Sequence, residues 1–583
     1  MANQDYKIKQ LIQMEACTRC RICADICPAV SASGDGELSG VYRIKGLKEI
    51  LRARTGLFQK LFGKKEPSKE ELNRFSGTVF RCTLCANCQE VCPVGIHLKE
   101  LWLSLRQDLV HSGAYPKKID MIRENLEETH NVFAEDNEER AEWVEDMRNP
   151  PDHGYIKDKA EAVYFTGCVA AYFPLAQKIP IALAEILEAS NVDFTLLGEE
   201  EWCCGFPMLG AGLRDMFKEF QDHNLEAVRK RGASKVIFAC PSCYQTWREY
   251  YDYPSTLEII HASQLLMDLV KEGRVLLKEL KMTVTYHDPC DLGRGARVFD
   301  EPREVIRSIP GVKFVELRHS RENCQCCGGG GNLEMMDAEL SSEIARRKIE
   351  EVLETGAEAV ITSCQQCVRT MLTYVRRNKV PIEVLDITQL IHRGVKLCFL
   401  HGLDSSPRGT KASLLKRLYP SCIIPELPEN AAARASVVEQ QLKEPVLLIG
   451  SSLGGLTALQ YAVRHPKMVL GLVLMAPAVG GMVKELLEGK EGQALDSLYI
   501  PEGIPAVIIA GIRDEVVPLS AIRSMIERSP SPHCIELYEV DDDHDLHQSL
   551  DLMVQAIENM KRKVLRQCEQ GTTNRLNVNQ DRE

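Results

Sequence analysis

The sequence predicts a multidomain protein: a small α-helical, cysteine-rich N-terminal domain, two α/β lobes related by duplication, and a C-terminal α/β domain. Three observations lead to it. The chain has 583 residues, room for about three to five domains at roughly 100–200 residues each. Five cysteines, Cys168, Cys203, Cys204, Cys240 and Cys243, recur as Cys290, Cys326, Cys327, Cys364 and Cys367, at offsets of 122, 123, 123, 124 and 124 residues. Residues 396–566 lack that pattern and alternate apolar strand-like runs with helical ones.

Content sets the boundaries. Residues 1–112 hold two dense cysteine motifs joined by a basic, helical stretch (Tyr42 to Lys65) and the polar run KKEPSKEELNR. Residues 113–158 lack cysteine and read as a helical acidic connector with a solvated face. The lobes take residues 159–280 and 281–393, the C-terminal domain 396–566, and a polar, frayed tail 567–583. In each lobe a strand-like run (AEAVYFTGC, KMTVTYHDPC) precedes a CCG turn and a second strand (KVIFAC, AVITSC). Cysteines at strand C-terminal ends would face a common crevice.

Composition narrows the class. The chain is 44% hydrophobic and 26% charged, as globular proteins are. A net charge of −12 argues against a nucleic-acid partner. The longest apolar stretch, Met468 to Val483, contains Pro477, Gly480 and Gly481 and falls short of the ~20 residues that span a bilayer. The start, MANQDYKIKQ, has no signal-peptide core. The expectation is a soluble, cytoplasmic protein without direct membrane insertion. Its 23 cysteines, mostly grouped, then read as metal or redox ligands rather than disulfides.

Two motifs, CTRCRICADICP and CTLCANCQEVCP, share the spacing C-x₂-C-x₂-C-x₃-C-P. In that arrangement three thiolates grip one cubane and the fourth serves the other. One [4Fe–4S] site is therefore assigned to Cys17, Cys20, Cys23 and Cys92, and a second to Cys82, Cys85, Cys88 and Cys27. Zinc is the alternative, but its sites usually pair two CxxC knuckles or include histidine. The stripe Val94, Ile96, Leu98, Leu101 and Leu105 reads as core.

Adjacent cysteines in a strand point to opposite faces. The glycine in Cys203-Cys204-Gly205 and Cys326-Cys327-Gly328 permits a turn that brings both sulfurs to one site. Five thiolates also exceed the four a cubane takes. Residues 1–393 thus resemble the CCG-domain iron–sulfur proteins, and among them the catalytic subunits of heterodisulfide reductases. The resemblance implies a noncubane [4Fe–4S] cluster in each lobe: Cys168, Cys203, Cys204, Cys240 and Cys243 in the first, Cys290, Cys326, Cys327, Cys364 and Cys367 in the second. It also implies that the paired clusters split a small-molecule disulfide. Cys324 reads as a bystander, and His287 as a hydrogen-bonded structural residue.

In the C-terminal domain the strand PVLLIG runs into Gly450-Ser451-Ser452-Leu453-Gly454 and then a helix, the context of a G-x-S-x-G nucleophile elbow. Asp514 and His544 each follow a later strand, with His547 as rival base. The amides of Leu453 and Leu403 are placed for an oxyanion hole. The stretch FLHGLDSSPRGTKASLLKRLYP with GSSLGG resembles small, lidless bacterial esterases of the α/β-hydrolase fold. That resemblance implies attack by Ser452, proton relay by His544 and orientation by Asp514.

Together the motifs and the two resemblances imply an anaerobic oxidoreductase subunit: two cubanes, two noncubane clusters that reduce a disulfide, and an appended serine esterase. The alternative is an electron-transfer subunit of a flavoprotein dehydrogenase or bifurcating complex. No nucleotide- or flavin-binding glycine fingerprint occurs in residues 1–393, so either form implies a separate flavin-containing subunit.

Overall fold

The computed structural model describes residues 6–55, 67–147, 151, 154–275, 277, 280–393, 396–419, 422–442, 445–480, 498–561 and 563–564. The expected tail 567–583 and residues 56–65 of the basic stretch lie outside them. The chain divides into two compact units: Met1–Val275 with Leu280–His392, and Arg393–Glu583 with Leu276–Glu279.

The N-terminal part of the first unit is helical, with no strand among its described residues before 162. The polar run is not all linker. Ser68 and Glu71 form a reciprocal capping box that starts the helix Lys69–Phe80 inside it. The helix Leu98–His111 buries Leu98, Leu101, Trp102 and Leu105, while Val94 lies before it, 42% exposed. Residues 113–158 also depart from the expected solvated connector. The helix Lys118–Thr129 buries Ile119, Ile122 and Leu126, an i, i+3, i+7 stripe, and the 3₁₀ turn Asn137–Val144 buries Arg140 and Trp143.

Two parallel sheets follow. The first contains β1 (Ala162–Phe165), β2 (Phe194–Thr195), β3 (Lys235–Phe238) and β4 (Glu258–His261), in the order β2-β1-β3-β4. The second contains β5 (Met282–His287), β6 (Val312–Phe314), β7 (Ala359–Thr362) and β8 (Glu383–Asp386), in the order β6-β5-β7-β8. The two orders are the same, as a duplication requires. Ala29 and Leu38 of the helical part pack with Leu333, Leu340 and Ile344 of the second lobe, so cysteine motifs and lobes share a core.

The second unit is one parallel sheet in the order β13-β12-β11-β10-β9: β9 (Leu397–Leu400), β10 (Val446–Ser451), β11 (Val469–Met475), β12 (Ala506–Gly511) and β13 (Ile535–Val540). The longest apolar stretch of the sequence supplies β11, the middle strand. A strand flanked by neighbours and covered on both faces reads as a continuous apolar run. No helix among the described residues is long and apolar enough to cross a membrane.

Candidate redox centre and candidate hydrolytic site

In each lobe the five thiols form one chain of contacts. In the first, Cys168 meets Cys203, Cys203 meets Cys204, Cys204 meets Cys243, and Cys243 meets Cys240. In the second, Cys290, Cys326, Cys327, Cys367 and Cys364 connect in the same order, with Cys327 and Cys367 Sγ atoms 3.3 Å apart. The turns work through glycine: Gly205 and Gly328 sit at φ +90° and +98°, conformations an L side chain rarely adopts. A Cβ there would stand 2.4 Å from Phe217 and 2.5 Å from the Ser341 carbonyl.

The N-terminal cysteines fall into the two crossed groups. Cys23 feels the charges of Cys17, Cys20 and Cys92, while Cys88 feels Cys82, Cys85 and Cys27. Burial pushes the Cys27 thiol up to about 11 and Cys88 well above the ordinary range. Such sulfurs are costly as free thiolates and suit a metal that supplies the missing positive charge. Contact with Cys326 of the second lobe draws Cys85 down to about 5. The second cysteine group and the second lobe therefore touch thiol to thiol.

Backbone and basic side chains close this junction. A Cβ on Gly330 or Gly331 would fall 2.4 Å from the Thr83 carbonyl or 2.3 Å from that of Cys82, so the consecutive glycines at 328–331 let two backbones meet. Arg294 Nε donates to the Cys85 carbonyl at 2.8 Å and Nη1 to that of Cys324 at 2.7 Å. Lys99 bridges Gln245 of the first lobe and Asp291 of the second, at 2.8 Å each. Between the lobes, Gln365 Nε2 donates to the Thr166 carbonyl at 2.9 Å, beside Gly167 and Cys243. Cys290 is the one lobe thiol of the ten that is not fully buried, and it lines a polar cavity of about 490 Å³ with Lys99, Arg214 and Arg294. A π-helical turn, Asp291–Gly295, follows it.

Several side chains around the thiols escaped the sequence reading. Arg140, from the supposed connector, pairs with buried Glu201 at 2.8 Å and reaches Cys168 Sγ at 3.7 Å. Cys324 is no isolated bystander. Its Sγ lies 3.4 Å from His287 Nδ1 and 3.9 Å from Lys348 Nζ. Burial alone would lower His287, but the adjacent Cys324 raises it, to about 10. A His287 ring nitrogen lies within 4.8 Å of the Cys327 and Cys367 sulfurs, and buried Nε2 has no hydrogen-bond partner among the described residues. An orphaned buried nitrogen beside a dense sulfur set fits a site built for a metal cluster.

In the second unit the elbow is formed by strain. Ser452 sits at φ 52°, ψ −120°, between β10 and the helix Leu453–Arg464. The glycines make room: a Cβ on Gly454 would lie 1.9 Å from the Leu400 carbonyl, and one on Gly450 2.7 Å from that of Gly454. Ser452 Oγ is 2.9 Å from His544 Nε2, and His544 Nδ1 is 2.8 Å from Asp514 Oδ2. The other Asp514 oxygen accepts from the Val516 and Val517 amides at 2.8 Å. His547, the rival base, is exposed in the turn His547–Ser549. Leu453 opens its helix, so its amide has no intrahelical acceptor.

Comparison with known proteins agrees with this geometry. Residues 13–96 match the 4Fe-4S dicluster domain, and residues 162–247 and 284–372 each match the cysteine-rich CCG domain. Over 400 residues the chain is 38% identical to a subunit of the dihydromethanophenazine:CoB--CoM heterodisulfide reductase of Methanosarcina acetivorans, covering 67% of this chain and 95% of that protein. The chain belongs to this heterodisulfide reductase family. It is thus an iron–sulfur oxidoreductase by kinship, and its family membership rests on the first unit. More distant similarity, 27% in each case, extends to the probable iron-sulfur-binding oxidoreductase FadF of Bacillus subtilis and the EtfAB:quinone oxidoreductase of Syntrophomonas wolfei. These alignments cover 67% of the chain and 61% and 60% of those proteins. The second unit has a different kinship: residues 396–503 match an uncharacterised protein family, UPF0227. Sheet order and elbow give that unit the α/β-hydrolase fold.

Proposed function

We propose that the first unit reduces a small-molecule disulfide to two thiols, with electrons supplied by a flavin-containing partner subunit. The observation that carries this is the complete five-thiol chain in both lobes, joined to the second N-terminal group by the Cys85–Cys326 contact. Cys17, Cys20, Cys23 and Cys92 would hold one cubane, Cys82, Cys85, Cys88 and Cys27 the other, and each lobe set a noncubane cluster. Clusters bound there supply one-electron transfer, and the reaction consumes two electrons and two protons per disulfide cleaved. The chain's own contribution is placement. Arg294 ties Cys85 to the second lobe, Gln365 ties the lobes together, and the cavity beside Cys290 gives a path from solvent. The test is electron paramagnetic resonance of the oxidised holoprotein over a panel of thiols. Thiol-dependent signals are expected; a spectrum indifferent to every thiol goes against the proposal. Similarity to FadF and EtfAB:quinone oxidoreductase favours a second reading, an electron-transfer subunit without disulfide chemistry.

The second unit is proposed to be a serine esterase or thioesterase. Ser452 Oγ attacks the acyl carbonyl as His544 Nε2 takes its proton, Asp514 holds the imidazole, and the Leu453 and Leu403 amides receive the oxyanion. The Ser452–His544–Asp514 hydrogen-bond chain carries this reading. A fluorophosphonate probe should label Ser452 in the intact protein and fail on Ser452→Ala; an unlabelled, folded wild type would leave the unit without this activity.

A further inference from the structure

Resting on the esterase reading, we propose that Arg434, acting with His401, is a positioning residue that aims the Leu403 amide at the oxyanion site beside Ser452. Arg434 lies in the helix Ala431–Gln441, and its side chain is 1% exposed. Each guanidinium nitrogen donates to a main-chain carbonyl: Nε to Pro428 at 2.7 Å, Nη1 to His401 at 2.9 Å and Nη2 to Gly402 at 3.1 Å. No carboxylate among the described residues pairs with it. Burying an unpaired guanidinium is costly, and hydrophobic packing would serve stability better. Two of its three acceptors are consecutive carbonyls where β9 ends and the loop to Leu403 begins.

The Gly402 carbonyl has a second donor. His401 Nδ1 lies 2.9 Å from it, and His401 Nε2 accepts from the Leu427 amide at 3.3 Å. An acceptor Nε2 carries no proton, so Nδ1 is the N–H and the imidazole is neutral. Burial, reinforced by the Arg434 charge, holds His401 below its usual range. Two donors therefore fix the direction of one carbonyl. In a planar trans peptide the next N–H points the opposite way, and the chain contains no cis peptide among its described residues. That N–H belongs to Leu403, which donates to no other group among the described residues. Gly402 stands against the nucleophile: a Cβ there would be 3.4 Å from Ser452 Cβ and 3.9 Å from Oγ. Clamping the carbonyl aims the amide and, by polarising the peptide, strengthens it as a donor. Burial lowers Arg434 to about 10, so it stays cationic at neutral pH.

The experiment uses the full chain as wild type, Ser452→Ala, Arg434→Lys and Arg434→Met. It measures turnover of p-nitrophenyl butyrate, phosphonate labelling, thermal melting, and inhibition by a trifluoromethyl ketone, whose adduct places an oxyanion in the pocket. Loss of one oxyanion donor typically costs 10²–10³ in kcat. Arg434→Met should lower kcat about 100-fold, leave KM within about twofold, and weaken ketone inhibition in proportion. Arg434→Lys, which keeps the charge without the fork, should fall between. It also serves if the Met variant does not fold. A labelled wild type with kcat and ketone inhibition unchanged in a folded Arg434 variant overturns this role alone. A change in KM or melting without a matching loss of ketone affinity overturns it too. A wild type that neither turns over nor labels ends the esterase reading and the role of Arg434 with it.

Discussion

Arg106→Met should loosen the first unit as a whole. The Arg106 side chain is fully buried, and its guanidinium donates to four carbonyls from three parts of the fold. Nη2 reaches Val79 at 3.1 Å and Cys82 at 2.8 Å, while Nη1 reaches Gly210 at 2.5 Å and Gly331 at 2.9 Å. Methionine can fill the stem's space but donates nothing, so four carbonyls lose their partner. Hydrogen bonds to a charged donor contribute about 1.5–3 kcal/mol each. Against their sum stands the several kcal/mol recovered by no longer burying a cation, leaving a net loss of ~3–5 kcal/mol. An unfolding entropy of about 2.1 cal/mol/K per residue over roughly 390 residues converts this to a midpoint lowered by ~4–6 °C. Because Cys82 and Gly331 share this guanidinium, iron should also escape to a chelator faster. Circular dichroism melting and chelator kinetics of anaerobic holoprotein measure both. Arg52→Met is the control, since Arg52 is 65% exposed and its ion pair with Glu15 is a long 3.9 Å. A midpoint within 1 °C of wild type and unchanged iron release would refute the reasoning.

Chemical analysis of anaerobic protein should find about sixteen irons per chain, and Gly328→Ala should bring this to about twelve by closing the second lobe's turn. A wild-type value near eight would mean the lobes hold none. Asp514→Asn should lower kcat on short-chain esters by about 10⁴ at unchanged folding, because the His544 tautomer is no longer fixed; a loss under tenfold would remove Asp514 from the triad. Gly454→Ala forces a methyl into the Leu400 carbonyl and should abolish Ser452 labelling, with a lower melting point as the independent sign of a distorted elbow.

Much of the fold is legible in spacing. A set of five cysteines repeated at a near-constant offset reports a repeated fold, and the two sheets have the same strand order. The elbow is legible because only glycine fits at 450 and 454, which leaves a recognisable pattern. What stays hidden depends on partners distant in sequence. Arg106 acts on carbonyls up to 225 positions away, and Arg140 lies among acidic residues that look solvated until Glu201 and Cys168 are placed beside it. Cys324 has no counterpart in the first lobe, so the repeat gives it no weight; its link to His287 spans 37 residues. The π-helical turn after Cys290 breaks the duplication at a position that glycine content alone does not distinguish from an ordinary loop.

The most direct test of disulfide reduction at the paired lobes compares turnover by wild type, Cys204→Ser and Cys327→Ser, with the physiological partner as electron source. Each substitution breaks one five-thiol chain at its centre and leaves Cys17, Cys20, Cys23, Cys27, Cys82, Cys85, Cys88 and Cys92 untouched. Both variants should lose disulfide reduction while the N-terminal clusters still take up electrons from the partner. Turnover surviving in both would contradict catalysis by the paired lobes.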